Sequence, residues 1–247
     1  MIYVTSDIHG RMECLKKLLE HVNFYDDDDN WLYILGDVID RNNNGGVDIL
    51  KWLLIQSNVQ LILGNHEQML LSNRWVFQEI NEDSISDIDN EKIRLLSLWE
   101  SNGGGCTMKA LSQESPETRQ DILEYLDDCP LVDSVCVNDK NFLLVHSGLG
   151  NYSPNKKIRD YSMDELLWER PNFNTEYNPS EYIVIFGHTP TAFYSEQYKN
   201  RMIKNDSWWD IDTGAALDNG RPMLLCLNTN QEYYIDDDGF VTEETQG

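Results

Sequence analysis

The sequence predicts an α/β fold in which helices pack against two β-sheets, and three observations support this prediction. Apolar runs typical of strands alternate with segments of helical periodicity up to about residue 80, which indicates a parallel sheet. Polar and charged residues directly follow these strands, at the edge of the sheet where α/β proteins place functional groups. The C-terminal third contains several further short strands separated by turn residues, which indicates a second sheet.

The N-terminal part has a β-α-β-α-β order, which implies parallel strands whose carboxyl ends share one edge. The predicted strands are Met1–Ser6, Trp31–Leu35 and Val59–Leu63. The predicted helices are Arg11–Val22, Val47–Ile55 and a third that continues to about Ile80.

The segment from about residue 74 to residue 128 is acidic and helical in pattern, without an obvious strand. Ser115 is a predicted N-cap, and Pro116 is the predicted first residue of a helix that ends near Asp127. We interpret this segment as a helical insertion into a single domain that comprises residues 1–247.

The rest of the chain is predicted to be rich in strands. A hairpin with an Asn-Asp turn, a short helix and one further strand are expected at residues 131–137 with 141–145, 163–168 and 182–186. In the tail we expect an antiparallel sheet, separate from the first, with strands around Phe193 and at residues 202–204, 208–212, 222–227 and 232–235.

The composition describes an acidic protein with a formal net charge of −24. This charge repels nucleic acid and anionic membranes, so we expect neither as a partner. It also repels phosphate, so phosphate chemistry would depend on bound cations and a few placed arginines. The N-terminus lacks the features of a signal peptide, and no apolar run approaches the ~20 residues of a membrane-spanning helix. We therefore predict a cytoplasmic protein whose five cysteines are reduced.

Residues 35–41 form the centre of the predicted site. An apolar strand ends at Leu35, and Asp37, Asp40 and Arg41 follow it closely. Two carboxylates and a guanidinium at a rigid strand end are typical of a site that binds a metal and an anion. We predict that Asp37 bridges two metal ions.

Four of the five histidines also follow apolar strand-like runs, namely His9, His66, His146 and His188. One such histidine would more often be structural, but four, together with Asp7, Asp37 and Asn65, favour metal ligands. These donors suit Mn²⁺, Fe²⁺, Zn²⁺ or Co²⁺.

Spacing within two of these segments separates the roles of neighbouring residues. Asp7 and His9 are two residues apart, so in an extended chain they face the same way and can chelate one ion. Asn65 and His66 are adjacent and must point differently. We assign Asn65 to the metal and His66 to proton transfer.

These segments resemble the motifs of the calcineurin-like metallophosphoesterases. The five matching segments, in order, are Ser6–Gly10, Gly36–Arg41, Gly64–Glu67, Val145–Gly148 and Gly187–Pro190. Each segment alone is weak, but five in order are highly specific. The Asp40-Arg41 pair makes the chain most similar to the bacterial phosphoprotein phosphatase branch. The resemblance implies a four-layer αββα sandwich of two mixed sheets flanked by helices.

The resemblance also implies a role for each residue of the site. The first metal ion would be held by Asp7, His9 and Asp37, and the second by Asp37, Asn65, His146 and His188. The general acid would be His66, oriented by Asp40. The substrate-binding residues would be Arg41, Arg170 and Asn65. Two divalent ions are implied, with Mn²⁺ expected first and Fe or Zn as alternatives.

The match to the family is looser at three places. Arg170 could instead form a surface salt bridge. Asn42 replaces the usual glycine after Asp40-Arg41; because Asn tolerates positive φ, the turn can survive, although the loop that presents Arg41 could differ in shape. Residues 211–215 are similar to a closing segment of bacterial members, and we interpret them as a support for the site.

The expected function is hydrolysis of phosphoserine and phosphothreonine in proteins, with activity on small aryl phosphates, by direct attack of a metal-bridging hydroxide. Symmetrical diadenosine tetraphosphate hydrolysis is the alternative, because bacterial members of that type share all five motifs. The acidity disfavours a nuclease, and the complete ligand set disfavours an inactive binding module. The insertion does not indicate the substrate.

Overall fold

A computed structural model of the chain describes residues 1–42, 44–78, 87–217 and 219–245. Within these ranges the helices are α1 (Met12–His21), α2 (Val47–Leu53), α3 (Asn65–Ser72), α4 (Asn90–Ser101), α5 (Gly105–Leu111), α6 (Pro116–Asp127) and α7 (Met163–Leu167). The strands are β1 (Ile2–Thr5), β2 (Trp31–Ile34), β3 (Val59–Leu61), β4 (Val132–Val137), β5 (Lys140–Val145), β6 (Ile183–Phe186), β7 (Ile203–Lys204), β8 (Trp208–Asp210), β9 (Met223–Cys226), β10 (Gln231–Ile235) and β11 (Val241–Thr245).

The strands form two mixed sheets. The first has the order β11-β10-β9-β1-β2-β3, with β1, β2 and β3 parallel and β9, β10 and β11 antiparallel to their neighbours. The second has the order β4-β5-β6-β8-β7, with β5, β6 and β8 parallel. The predicted α/β fold with two mixed sheets is therefore confirmed.

The alternation of side chains along each strand produces four layers. On β2, Ile34 packs among residues of the N-terminal helices, whereas its neighbour Tyr33 packs between the two sheets. On β5, Leu144 joins Tyr33 between the sheets, and Leu143 points outward to Leu166 of α7. Apolar residues on both faces of each sheet thus place the sheets face to face, with helices outside.

Two predictions about the tail were wrong. Within its described residues the tail forms no sheet of its own, because β7 and β8 join the second sheet while β9, β10 and β11 extend the first sheet beyond β1. Apolar patterns predict that a strand exists, but they do not specify its partner. Around Phe193 the chain forms a 3₁₀ turn, Thr191–Phe193. Pro190 begins this turn and accepts a hydrogen bond from the N–H of Phe193 (2.7 Å).

One helix boundary and one strand also differ from the predictions. Helix α3 ends at Ser72 and is followed by a 3₁₀ turn, Arg74–Phe77, whereas we expected it to continue to about Ile80, which lies outside the described residues. Strand β11 was not predicted. It is an edge strand that carries Glu243 and Glu244, and charged edges lack the apolar alternation of a half-buried strand.

Helices α4, α5 and α6 lie in the predicted insertion. Ser115 caps α6 as predicted, because its Oγ accepts a hydrogen bond from the N–H of Thr118 (3.1 Å) and Pro116 begins the helix. Trp99, Ile122 and other apolar residues of these helices are buried in the same cluster as those of α1 and α2. The assignment of residues 1–247 to one domain stays a prediction. Among the helices in the described ranges, none combines the length and the apolar character needed to cross a membrane.

Candidate active site

The loops after β1, β2, β3, β5 and β6 meet at one edge of the two sheets. Neighbouring loops are joined by backbone hydrogen bonds, since the N–H of Asp7 donates to Gly36 (3.1 Å) and the N–H of His9 donates to Asp37 (2.9 Å). The loops surround a cavity of about 110 Å³. The predicted site residues that line it are Asp7, His9, Asp37, Arg41, Asn65, His66, Arg170 and His188.

The two remaining predicted residues, Asp40 and His146, are fully buried next to the cavity. Asp40 Oδ2 lies 2.6 Å from His66 Nδ1, and His146 Nε2 lies 2.9 Å from Asn65 Oδ1. The structure therefore brings together every side chain that the sequence predicted for the site.

Two groups of donor atoms could each hold a metal ion, with all atoms of a group within 4.8 Å of one another. The groups are His9, Asp37 and His66, and Asp37, His146 and His188. Asn65 adds an oxygen to the second group, because its Oδ1 also lies 2.9 Å from His188 Nδ1. Asp37 belongs to both groups, which is the position that a bridging ligand requires.

Backbone carbonyl groups fix the tautomers of two of these histidines. Nδ1 of His9 donates to the carbonyl oxygen of Ile39 (2.8 Å), and Nδ1 of His146 donates to that of Leu35 (2.7 Å). Both rings therefore present an unprotonated Nε2, which lies 3.7 Å and 3.4 Å respectively from the carboxylate of Asp37. Burial lowers the pKa of His9 well below its usual value and that of His146 to about 3. Neutral rings oriented by a carbonyl are typical of metal ligands.

The carboxylates of the site are in an environment that favours a cation. Burial raises the pKa of Asp7 and of Asp37 well above the usual value, and nearby carboxylates raise them further, with Asp212 acting on Asp7 and Glu67 on Asp37. A divalent ion between such groups would favour their charged form. The donor set therefore fits divalent cations, although the number and identity of the ions stay predictions.

The backbone at Asp7 and His9 is not extended. The prediction that the two side chains face the same way because the chain is extended was therefore wrong. Their φ angles are 49° and 43°, in the left-handed region. Asp37 (54°), Arg41 (67°) and His188 (66°) share this conformation, which is uncommon for residues other than glycine. Oδ2 of Asp7 accepts a hydrogen bond from the N–H of His188 (2.9 Å), and Asp7 belongs to neither donor group described above. Binding of one ion by Asp7 and His9 together stays a prediction.

Asp40, His66 and Arg41 form a hydrogen-bonded row at the side of the cavity. Nε2 of His66 lies 3.2 Å from Nη2 of Arg41, so Arg41 donates to it while Nδ1 donates to Asp40. Burial raises the pKa of Asp40 to about 7, although hydrogen bonds from Thr107 and Trp99 oppose this effect. Burial and the charge of Arg41 lower the pKa of His66 to about 3.

Two arginines reach the cavity. Besides Arg41, Arg170 lies at its rim, where its Nη1 donates to the carbonyl oxygen of His188 (3.0 Å) and to Thr189 Oγ1 (3.1 Å). Among the described residues Arg170 has no ion-pair partner, so the alternative of a surface salt bridge is not supported. Both guanidinium groups can attract an anion into a cavity whose lining also includes the carboxylates of Asp7, Asp37 and Asp212.

The two other places at which the match to the family is looser, Asn42 and residues 211–215, also lie near the cavity. The loop after β2 has positive φ at Asp40 and Arg41 rather than at Asn42, whose Nδ2 donates instead to the carbonyl oxygen of Ala215 (3.5 Å). Asp212 lines the cavity, and its Oδ1 accepts a hydrogen bond from the N–H of Gly214 (2.9 Å). Residues 211–215 therefore contact the site, as expected of a support.

Sequence reasoning missed the role of Glu67. Its carboxylate is fully buried and accepts hydrogen bonds from the N–H groups of Asp37 (2.8 Å), Val38 (2.9 Å) and Gly64 (3.0 Å). A glutamate three residues after the N-cap of a helix is a capping-box signal and could have predicted the bond to Gly64. The bonds to the loop of Asp37 depend on the tertiary structure and left no such signal.

Comparison with known proteins gives the family of the chain. The family model for calcineurin-like phosphoesterases matches residues 1–216. A symmetrical bis(5'-nucleosyl)-tetraphosphatase of Chromobacterium violaceum is 33% identical over 91 residues, which are 36% of this chain and 32% of the relative. One from Salmonella paratyphi C is 29% identical over 148 residues, which are 60% of this chain and 43% of the relative. The alignments thus span less than half of each relative.

A solved structure of a candidate diadenosine tetraphosphatase has the same fold. It superimposes with a TM-score of 0.57 at 19% identity, and the match covers 98% of this chain and 92% of the other. At this identity the likeness shows the fold alone, but the family model covers most of the chain. The chain belongs to the calcineurin-like phosphoesterase family.

Proposed function

We propose that the protein is a phosphoesterase that acts with the help of two divalent ions and that its substrate is a dinucleoside tetraphosphate, in which water would cleave the central phosphoanhydride bond. Membership of the family supports phosphoester hydrolysis. The observation that carries the proposal of two ions is the sharing of Asp37 by two groups of buried donor atoms.

The residues proposed to hold the ions combine these groups with the family resemblance, which adds Asp7 and Asn65 and assigns His66 to proton transfer. One ion would be held by Asp7, His9 and Asp37, and the other by Asp37, Asn65, His146 and His188. When bound, the ions would lower the pKa of a shared water and neutralise charge on the phosphoryl oxygens. Mn²⁺ is the ion to test first, with Fe and Zn as alternatives.

The side chains beside the ions would bind the phosphoryl group and move a proton. Arg41 and Arg170 supply positive charge in a protein of formal net charge −24, which an anionic substrate requires. His66 is neutral in the structure, so its Nε2 would first take up a proton from solvent and then protonate the leaving oxygen, while Asp40 would hold the ring through Nδ1. Arg41 now donates to Nε2 of His66, so it would have to turn to the phosphoryl group before that nitrogen can act.

The size of the cavity limits which part of the substrate is enclosed. A volume of about 110 Å³ accommodates a phosphoryl group with its ions but not a nucleotide. The rest of the substrate would lie over the rim, where Trp168, Phe193 and Leu217 are located. The names of the curated relatives favour a dinucleoside tetraphosphate over the phosphoprotein that we expected first from the sequence.

Hydrolysis of phosphoserine and phosphothreonine is the second candidate, because the Asp40-Arg41 pair resembles that of phosphoprotein phosphatases. In both cases the proposed partner is a phosphorylated molecule and not nucleic acid or a membrane, and a cytoplasmic location stays a prediction.

The test is a substrate panel on protein of measured metal content. We expect two bound ions after loading with Mn²⁺ and cleavage of diadenosine tetraphosphate to two molecules of ADP. We also expect kcat/KM to be higher than for a phosphopeptide and activity to be lost after chelation. Faster cleavage of the phosphopeptide would favour the second candidate. A protein that binds two ions and cleaves neither substrate, nor an aryl phosphate, would refute the proposed function.

A matched pair of arginine variants tests the anion site within this panel. Arg170→Ala should raise KM, because it removes a cation from the rim of the cavity. Arg159→Ala removes an arginine whose side chain is 77% exposed and should leave KM unchanged. Equal KM values for the two variants would remove Arg170 from the proposed site.

A further inference from the structure

The inner faces of α4 and α5 contact the loop that carries Asp40. Nε1 of Trp99 donates to Asp40 Oδ2 (2.9 Å), and Oγ1 of Thr107 lies 2.5 Å from Asp40 Oδ1. Trp99 and Thr107 are fully buried, and both belong to the insertion rather than to the loops at the strand ends. The insertion therefore supplies buried hydrogen-bond donors to a carboxylate beside the cavity.

These contacts fix the direction of the carboxylate. Oδ2 of Asp40 accepts from Trp99 and from Nδ1 of His66 (2.6 Å), while Oδ1 faces Thr107. Oγ1 of Thr107 also accepts a hydrogen bond from the N–H of Asp40 (3.1 Å), so the backbone and the side chain of Asp40 are held by the same residue. A buried carboxylate bonded on both oxygens cannot rotate without losing a hydrogen bond.

The turn between α4 and α5 supports the next residue of the same loop. The carbonyl oxygen of Gly103 accepts a hydrogen bond from the N–H of Arg41 (3.2 Å). Gly103 has a φ of 97°, and a Cβ at this position would lie 2.9 Å from Cγ of Arg41. Only glycine fits here without a shift, so the insertion approaches the loop of Asp40 and Arg41 as closely as the backbone allows.

We propose that Trp99 and Thr107 are positioning residues that hold Asp40, and through it His66, in the orientation needed to protonate the leaving group. This inference rests on the proposed function, in which His66 is the proton donor. It assigns to the insertion a task in the chemical step in addition to any contact with substrate. Misplacement of a catalytic group by about 1 Å can cost on the order of 10²-fold in rate.

The leaving group distinguishes positioning from a general structural role. 4-Nitrophenolate is a stable anion and leaves with little need of a proton, whereas phenolate is more basic and depends on a proton donor. We expect the double variant Trp99→Phe/Thr107→Val to lose at least about 10-fold in kcat on phenyl phosphate, as a partial loss of general-acid catalysis, and less than about 3-fold on 4-nitrophenyl phosphate. Both substitutions remove a hydrogen-bond donor and keep most of the buried volume.

Two controls accompany the double variant. Trp75→Phe makes the same change as Trp99→Phe elsewhere in the insertion, at a half-buried side chain whose buried indole N–H finds no acceptor among the described residues, and should leave both rates unchanged. Thr107→Ser keeps the hydroxyl group and should retain the rate on phenyl phosphate. If the double variant folds poorly, Thr107→Val alone should show the same dependence on the leaving group with a smaller amplitude.

The outcomes separate this inference from the proposed function. Suppose that His66→Asn shows a selective loss on phenyl phosphate. Equal losses on both substrates in the double variant, or no loss on either, would then overturn the positioning role and leave the proposed function intact. If His66→Asn itself loses no more on phenyl phosphate than on 4-nitrophenyl phosphate, the assignment of His66 as proton donor fails, and the positioning role fails with it.

Discussion

The loops at the strand ends and the helices of the insertion both contact Asp40 and Arg41, but they contribute to the site in different ways. The loops present the atoms that face the cavity, many of them from left-handed backbone such as that of Asp7 and Asp37. The insertion presents buried donors from ordinary helices to Asp40 and, through Thr107, to the carbonyl oxygen of Gly45, and its Asn102 also lines the cavity. The groups proposed to perform the chemistry and some of the groups that hold them therefore lie on different parts of the chain.

The two regions also differ in the conformational energy of their backbone. A residue other than glycine in the left-handed region costs of order 1–3 kcal/mol, so these loops persist only because their surroundings hold them. The carboxylate of Glu67 and the hydroxyl of Thr107 are two such holding groups, since both accept hydrogen bonds from the backbone of the loop after β2. Variants of the two regions should therefore fail in different ways.

The largest effect is expected for Asp37→Asn, which replaces the residue shared by both donor groups. The amide lacks the negative charge that two cations require, so we expect both ions to be lost and the rate to fall roughly 10⁴-fold. Metal analysis and turnover of an aryl phosphate measure this. Asp160→Asn, at a side chain that is 56% exposed, is the control. A variant that keeps two ions and a normal rate would remove the bridging assignment.

His66→Asn should lower turnover by roughly 10²–10⁴, the usual contribution of a general acid, while both ions stay bound. The matched control is His21→Asn, because His21 lies in a helix on the surface and has no proposed role. Metal content decides between two roles here, since His66 also lies within 4.8 Å of the donors of His9 and Asp37. Loss of an ion in this variant would identify His66 as a ligand.

The two regions also differ in how well the sequence predicts them. Asp37 and His146 could be recognised because each is a polar residue directly after an apolar strand, and parallel strands bring such ends together. Trp99 and Thr107 could not, because each lies within a helical pattern and its hydrogen bond to Asp40 depends on the tertiary structure. For the same reason the pattern predicted β9 as a strand but not its pairing with β1, which depends on contacts across most of the chain.

Glu67→Gln tests whether the buried carboxylate of Glu67 holds the loop that carries Asp37. An amide in place of the carboxylate turns one acceptor into a donor that faces backbone N–H groups, so we expect the free energy of unfolding to fall by about 1–3 kcal/mol. For a protein of this size each kcal/mol corresponds to roughly 2–4 °C in Tm. Metal affinity should fall about 10–100-fold, because Glu67 holds the backbone of Asp37. Glu13→Gln, at an 82% exposed side chain, is the control, and equal Tm values for the two variants would contradict the holding role.

The smallest effect is expected at the outer face of the insertion, where Arg74 and Asp127 form a two-point ion pair (2.7 and 2.6 Å) with side chains 41% and 44% exposed. Asp127→Ala should lower the free energy of unfolding by less than about 1 kcal/mol, because exposed pairs are screened by solvent. Arg74 lowers the pKa of Asp127, so this contribution is present above the usual pKa of an aspartate, about 3.9, and is lost as the pH falls through the lowered value.

Turnover of Asp127→Ala gives the final comparison between the faces of the insertion. We expect unchanged kcat on phenyl phosphate and on 4-nitrophenyl phosphate, because the contacts of Trp99 and Thr107 with Asp40 stay in place. A selective loss on phenyl phosphate as large as that of Thr107→Val would mean that any loosening of the insertion disturbs proton transfer. The specific hydrogen bonds to Asp40 would then explain no more than the packing of the helices does.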